Sequence, residues 1–410
     1  MNRRKFLLSA SISTASFYAS GICQERRNTH DPIGTFEPFI QRGRLPHSVI
    51  IQSLELYKKG KNWFIRARSK DGTEGWAVGH PKKMSLSQNV FNKVIAPYMH
   101  GKDARDLDRL VDEVFLIGSN YKMQGQLFWV SLAAAEFAIL DLLGKVASCS
   151  VVDLLGGQHR KKINLYIANN HRNKNASESL RRIIQSVDSI NAKALKFKIG
   201  GRMKVDDQIP GRTEKLIPLV AKALGDKCTL YADANSSYLS VGKAVEIGKV
   251  LEANGVSFYE EPVPFDYLDE TKRVADALNI PIAWGEQESS QWRFKWMVEN
   301  SGVRVFQPDI FYYGGLIRSL RVAQMAASKG FDCTPHISGG GLGFLYMGIF
   351  AACCSNAGPY QEYKGLTADF PWESTGDKIT VSNGSMNAPN GFGIGVNIDP
   401  DYLKNAEKVK

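Results

Sequence analysis

Residues 229–262 read TLYADANSSYLSVGKAVEIGKVLEANGVSFYEEP. A β-rich run, 229–234, carries Asp233 at its end. A helical stretch at 241–253 follows, and a second β-rich run, 256–260, ends on Glu260. This is one strand–helix–strand unit with an acid at the C-terminal end of each strand. Parallel neighbours in a sheet need a crossover, and a helix of this length supplies one.

The unit repeats on both sides. Further β-rich runs lie at 163–168, 194–199, 280–286, 303–309, 332–336 and 360–363, which makes eight strands in all. Helical stretches at 214–224, 267–278, 292–300, 319–328 and 342–354 fall between them. Eight strands alternating with helices over roughly 200 residues predict a parallel barrel. An open doubly wound sheet is the alternative, weakened because no Gly-x-Gly-x-x-Gly follows a strand as a dinucleotide site requires. Ahead of the barrel, 48–51 and 63–67 read as strands across a turn at 59–62. The stretch 126–147 reads as a long helix with an apolar stripe of Leu127, Val130, Ala134, Phe137, Ile139 and Leu142. This leading part predicts a small α+β domain.

The chain has 410 residues, 52 Lys and Arg, 41 Asp and Glu, and a formal charge of +11. Such a balance first suggests an anionic polymer or a membrane surface. The bases are scattered, however, as with Arg181 and Arg182 on one helix and Arg318 and Arg321 on another. A nucleic-acid surface would cluster them with aromatic residues, so no nucleic-acid partner is expected. The opening Met1-Asn2-Arg3-Arg4-Lys5-Phe6-Leu7-Leu8 and the Ser- and Ala-rich run after it read as a twin-arginine-type signal over 1–23. A periplasmic enzyme exported in folded form is expected, with lipid anchoring at Cys23 as an alternative. Removing Arg3, Arg4 and Lys5 leaves 49 bases against 41 acids, or +8. No later segment reads as apolar enough to span a membrane. The six cysteines show no C-x-x-C spacing and read as buried thiols.

Polar residues recur where the strands end. Lys196 and Lys198 lie two apart on the second strand and face one side. Asp233, Glu260, Glu286, Asp309 and His336 then follow at steps of 23 to 27 residues, one βα unit each, and Glu362 lies in the eighth strand. In a barrel these side chains converge at the C-terminal mouth. Acids so placed repel one another unless something compensates. Three carboxylates around one point need a cation, and an all-oxygen donor set suits Mg²⁺. Asp233, Glu260 and Glu286 are the expected metal ligands, while Glu261, ahead of Pro262, is expected to point away. Asp309 next to His336 makes a dyad suited to acid/base work. Lys198 is the candidate base from the other flank, with Lys196 placed to lower its proton affinity. Alone, Lys196-Phe197-Lys198 would fit an edge strand with two solvated lysines; the acids around it argue otherwise.

These residues, as Leu195-Lys196-Phe197-Lys198, Ala232-Asp233-Ala234-Asn235, Tyr259-Glu260-Glu261-Pro262, Gly285-Glu286-Gln287, Gln307-Pro308-Asp309 and Pro335-His336, closely resemble the enolase superfamily and, within it, the mandelate racemase subgroup. The likeness runs from about residue 45 to Tyr402. It implies a modified (β/α) TIM-type barrel under an N-terminal α+β capping domain. The expected division is a capping domain at 30–157, a barrel at 158–370, and a segment at 371–410 that packs back on the capping domain. It implies removal of the proton α to a carboxylate, with Mg²⁺ neutralising the resulting enediolate. Glu362 matches the position that hydrogen-bonds the intermediate, and Lys196 and Asn235 positions that meet the substrate carboxylate. Specificity in the family lies in capping-domain loops, placed here at 34–47 and 79–84, with Arg42, Arg44, His47 and His80 as substrate-binding candidates. His171 and Arg172 are candidates to reach the mouth. The run Glu260-Glu261-Pro262-Val263-Pro264 and the glycines after His336 are most like acid-sugar dehydratases. A sugar acid is thus the expected substrate and a homo-oligomer the expected state. A racemase or epimerase of a 2-hydroxy acid is the alternative on the same site, and an exported non-catalytic binding protein the alternative from another class.

Overall fold

The computed structural model describes residues 36–169, 171–203 and 206–410; the signal at 1–23 and Cys23 lie outside them. Three antiparallel strands come first: β1 (Ile51–Lys59), β2 (Asn62–Ser69) and β3 (Glu74–Val78). Gly60 and Lys61 alone join β1 to β2, with Gly60 at φ +59° turning the chain. Trp63, Phe64, Ile65 and Ala67 of β2 are buried. Helices α1 (Met84–Val90), α2 (Leu107–Leu116) and α3 (Gln126–Val146) complete this part. A Cβ at Gly75 would collide with the backbone of Ala138 and Leu142, so glycine there lets β3 lie against α3. The stripe expected on α3 is in fact a whole circumference, since Phe128 to Gly144 are all buried. By length and apolarity α3 alone among the described helices could cross a membrane, against the sequence expectation, but here it is the core of the fold.

The eight runs read from sequence are barrel strands: β4 (Lys162–Ala168), β5 (Ala194–Lys198), β6 (Thr229–Asp233), β7 (Phe258–Glu260), β8 (Ile282–Trp284), β9 (Val305–Phe306), β10 (Asp332–Cys333) and β11 (Gln361–Tyr363). Each pairs in parallel with the next from β4 to β10, and β11 returns to pair with β4. A bridge between Cys333 and Ala357 links β10 to the chain entering β11. Helices α4 (Ala176–Ile190), α5 (Arg212–Leu224), α6 (Val241–Ala253), α7 (Leu268–Asp276), α8 (Gln291–Glu299), α9 (Leu316–Ala327) and α10 (Phe344–Cys353) supply the crossovers. Inside the barrel Tyr166, Ala194, Tyr231, Phe258, Ala283 and Val305 form an apolar layer, with Tyr231 and Phe258 stacked at 3.9 Å. This layer fills the interior beneath the strand ends, so polar side chains there stand on a packed floor. At the other end of the chain, Glu407–Val409 pairs antiparallel with β1.

Candidate active site

Register brings the acids together. Lys198 lies opposite Asp233, and Asp233 opposite Glu260, at the last rungs of β5, β6 and β7. Glu286 stands two residues past β8, beyond Gly285 at φ +126°. One carboxylate oxygen from each of Asp233, Glu260 and Glu286 lies within 4.8 Å of the others, and all three residues are buried. Glu260 is held by Lys196 Nζ at 2.8 and 2.9 Å and by Gln307 Nε2 at 2.8 Å. Asp233 accepts the Asn235 backbone N–H at 2.7 Å and the Lys198 ammonium. Glu286 Oε1 accepts from Gln287 Nε2 at 2.8 Å. Glu286 Oε2 has no hydrogen-bond partner among the described residues. His336 Nε2 is 3.2 Å from that oxygen, but the contact lacks hydrogen-bond geometry.

The charge balance agrees with the geometry. Burial, together with repulsion from Asp233 and Glu286, pushes Glu260 up to about 8 despite Lys196. Burial opposes ionisation of Asp233 too, but Lys198, Lys196 and Arg172 hold it far below the carboxylate range. A buried anionic oxygen without a donor, amid acids that crowd one another, fits a hard divalent cation with oxygen ligands. The three carboxylates therefore suit Mg²⁺.

Two flanks complete the site. On the Asp233 side, Lys198 Nζ also donates to Asn235 Oδ1 at 3.0 Å. Asn235 sits at φ +43°, a left-handed conformation that asparagine tolerates, and its amide faces Glu286 Oε1 at 3.4 Å. Arg172 fixes that amide, donating from Nη2 to Asn235 Oδ1 at 2.7 Å and to the Asp233 carbonyl at 3.2 Å. His171 is half-buried with its carbonyl on Arg212. On the Glu286 side, Asp309 Oδ2 lies 2.6 Å from His336 Nδ1. Backbone N–H groups of Phe311, Tyr312 and Ser338, and the Ser338 hydroxyl, also donate to Asp309 at 2.6 to 2.9 Å. Burial disfavours the imidazolium, yet Glu286, Glu362 and Asp309 outweigh it and hold His336 above the usual histidine value. Glu362 accepts the Ile337 N–H at 3.2 Å, and despite burial Lys196, Lys364 and His336 keep it well below the carboxylate range.

Some residues stand elsewhere than the sequence suggested. Lys196 is fully buried, its ammonium taken up by Glu260 and by Glu362 at 3.2 Å, so it reaches a substrate only if one of these bonds opens. His47 is exposed on the segment before β1. That segment is tied to the capping part: Asp108 accepts from Phe39 and Ile40, Asp103 from Val49, Arg105 donates to Leu45, and Arg42 pairs with Asp106. The β1–β2 connection is the short turn at Gly60-Lys61, where the sequence placed it. His80 does stand against the barrel, buried, stacked on Tyr312 at 5.4 Å, with Nδ1 accepting the N–H groups of Lys82 and Lys83. Burial lowers its pKa to about 4, so the ring is neutral at ordinary pH. Glu261 stands outside the three-carboxylate cluster, its Oε2 facing the Ser236 hydroxyl at 3.5 Å. It is buried at φ +43°, and burial together with Glu286, Asp233 and Glu260 raises it well above the usual value. Sequence reasoning missed Ser338 and Lys364; the alternation of strand residues after Glu362 was the available signal for Lys364.

A family model described as "Enolase C-terminal domain-like" matches residues 178–402. The arabinonate dehydratase of Saccharolobus solfataricus is 28% identical over 312 residues, 76% of this chain and 81% of that protein. The D-galactarolactone cycloisomerase of Agrobacterium fabrum is 26% identical over 349 residues, 81% of this chain and 88% of that protein. The crystal structure of a mandelate racemase/muconate lactonizing protein from Paracoccus denitrificans, complexed with magnesium, is 27% identical with a TM-score of 0.76, over 88% of this chain and all of that one.

Proposed function

We propose that this chain, which belongs to the enolase superfamily and is an enzyme of the lyase or isomerase type, dehydrates a sugar acid to a 2-keto acid. The observation that carries this is the convergence of Asp233, Glu260 and Glu286 between Lys198 and the Asp309–His336 dyad. Asp233, Glu260 and Glu286 would hold Mg²⁺. When bound, the cation supplies positive charge for the substrate carboxylate and for the negative charge its deprotonation creates. Lys198 takes the proton α to that carboxylate and leaves an enediolate. Asp309, fixed by its donors, aims His336 Nε2 into the mouth. His336 gives its proton to the departing β-hydroxyl. Gln307 and Lys196 keep the Glu260 carboxylate in place, and Arg172 keeps the Asn235 amide turned toward Lys198.

Racemisation or epimerisation is the second reading, because Lys198 and His336 flank one centre and can take and return a proton from two sides. A non-catalytic exported binding protein has no support in relatives that are named enzymes. The test is to incubate the mature protein and Mg²⁺ with arabinonate, xylonate, galactonate and gluconate and to trap keto acid with semicarbazide. Keto acid from one of them supports dehydration; none from any, with α-deuteration in D₂O, supports the epimerase. The leader motif supports a periplasmic location, tested by cell fractionation, and a homo-oligomer is tested by light scattering.

A further inference from the structure

Lys364 follows β11, two residues after Glu362, so both side chains face the mouth. Its ammonium donates to the Ile337 carbonyl at 2.9 Å, lies 3.1 Å from Glu362 Oε2 and 2.8 Å from His336 Nε2. About a quarter of the side chain, 26%, is exposed. An ammonium has three protons to donate and accepts nothing. The contact to His336 therefore needs a lone pair on Nε2, with the ring proton on Nδ1 facing Asp309. When Nε2 carries a proton, donor meets donor and the contact is lost. Lys364 then keeps Ile337 and Glu362 and has one N–H free, beside the nitrogen that delivers the proton.

A plain counter-charge for Glu362 would not need this position. Lys196 already stands 3.2 Å from Glu362 on the other side. What the position does offer is reach: the ammonium is 2.8 Å from the nitrogen that delivers the proton and partly open to the mouth, so it can meet the oxygen that receives that proton.

We propose that Lys364 binds the substrate oxygen on the carbon next to the α-carbon and stabilises its departure, so that the site selects acids bearing a hydroxyl there on the His336 side. The proposal rests on the dehydratase reading above. In this step the electron pair of the enediolate forms the Cα–Cβ double bond, and the Cβ–O bond breaks with its pair on oxygen. That oxygen takes the proton from His336 Nε2 and leaves as water. Lys364 keeps its protons throughout, and the lone pair regained by Nε2 restores its starting contact. The enol product tautomerises to the 2-keto acid, with no external oxidant or reductant.

The test compares wild type, Lys364→Met and Lys364→Arg with Mg²⁺ in D₂O, on the acid of the panel that wild type dehydrates. Keto acid formation and α-deuterium uptake into recovered substrate are both measured. A leaving-group role predicts that Lys364→Met loses about 100-fold in keto acid formation, the scale for one charged donor in a transition state. Its α-deuterium uptake stays within about threefold of wild type or rises, and Lys364→Arg recovers about tenfold of the lost rate. Uptake and elimination falling together would mean that Lys364 serves the α-proton transfer or the shape of the mouth rather than the leaving group and would overturn the proposal, as would unchanged elimination. Affinity gives a second measure: wild type should hold galactonate more tightly than 3-deoxygalactonate, and Lys364→Met should erase the difference. A preference that survives the substitution also overturns it. Wild type that makes no keto acid removes the dehydratase reading and this proposal together; keto acid made equally well by Lys364→Met removes this proposal alone.

Discussion

Helix α3 and the barrel mouth both bury carboxylates, and they treat them differently. On α3, Asp141 accepts the Trp76 N–H at 2.8 Å, the Ile394 N–H at 2.9 Å and the Lys145 ammonium at 2.7 Å. Glu136 accepts the N–H groups of Leu316 and Ile317 and so caps the N-terminus of α9. Burial raises the pKa of both acids. At the mouth, three acids from successive strands meet at one point, and Glu286 Oε2 has no hydrogen-bond partner among the described residues. Glu136 Oε2 on α3 is unpaired among them as well, and Glu260 at the mouth is raised like the α3 acids. Burial, a raised pKa and a single unpaired oxygen thus occur in both places and do not mark function. Convergence of three carboxylates, between a lysine and a histidine dyad, does. The α3 acids hold the fold together; the mouth acids form a group that could hold a cation.

Substitutions at the mouth should cost activity without stability. Lys198→Ala and His336→Asn are each expected to lower turnover at least about 10³-fold, the scale for a catalytic acid or base, while the melting temperature barely moves. A fall in melting temperature that matches the lost activity would erase the distinction between the two regions. Asp141→Ala should do the reverse. It strands Lys145 and two backbone donors, and a loss of about 3–5 kcal/mol in urea unfolding is expected, with Mg²⁺ affinity unchanged. Saturating Mg²⁺ should raise the stability of wild type by about 2–3 kcal/mol at a hundredfold excess over Kd, reversibly with EDTA, and should leave Glu286→Gln unmoved. A shift that persists in Glu286→Gln would place the cation elsewhere.

A further effect concerns pH. Burial pushes Glu136 up to about 8 from an unfolded value of 4.5. The native state therefore holds a proton that the unfolded state releases between these values, and this residue's contribution to stability falls as pH rises from 4.5 to about 8. Glu136→Gln, which still offers an oxygen to α9, should flatten that fall. Its melting temperature is expected to gain on wild type at pH 8 and to converge with it near pH 5. A parallel pair of pH curves would show that the carboxyl is ionised throughout.

Much of the barrel was legible because each strand is an apolar run that ends in a polar residue. The expected ends overshoot: 280–286 became Ile282–Trp284, 303–309 became Val305–Phe306 and 332–336 became Asp332–Cys333. The overshoot has two causes. Pro308 and Pro335 carry no N–H and interrupt the ladder, which resumes in a single parallel bridge between Asp309 and His336, while Glu286 stands past Gly285 beyond the end of β8. The ring of acids was readable from spacing alone. What was not readable depends on where loops go. His47 was misplaced because nothing before β1 tells that the chain turns back onto α2. Ser338 and Lys364 join the dyad only through the path of the chain after His336 and β11. The α3 acids gave little signal, since apart from Lys145 their partners are backbone amides more than 60 residues away in sequence.

The most direct test is to follow the hydrogen α to the carboxylate. Each acid of the panel is incubated in D₂O with wild type and Mg²⁺, and the recovered acid and any keto acid are weighed by mass spectrometry, with EDTA-treated enzyme and His336→Asn alongside. Loss of the α-hydrogen from at least one acid is predicted, as keto acid or as α-deuterated substrate. It should be abolished by EDTA, and keto acid should be absent with His336→Asn. An enzyme stabilised by Mg²⁺ that leaves the α-hydrogen of every acid in place would contradict the account, as would a reaction indifferent to EDTA.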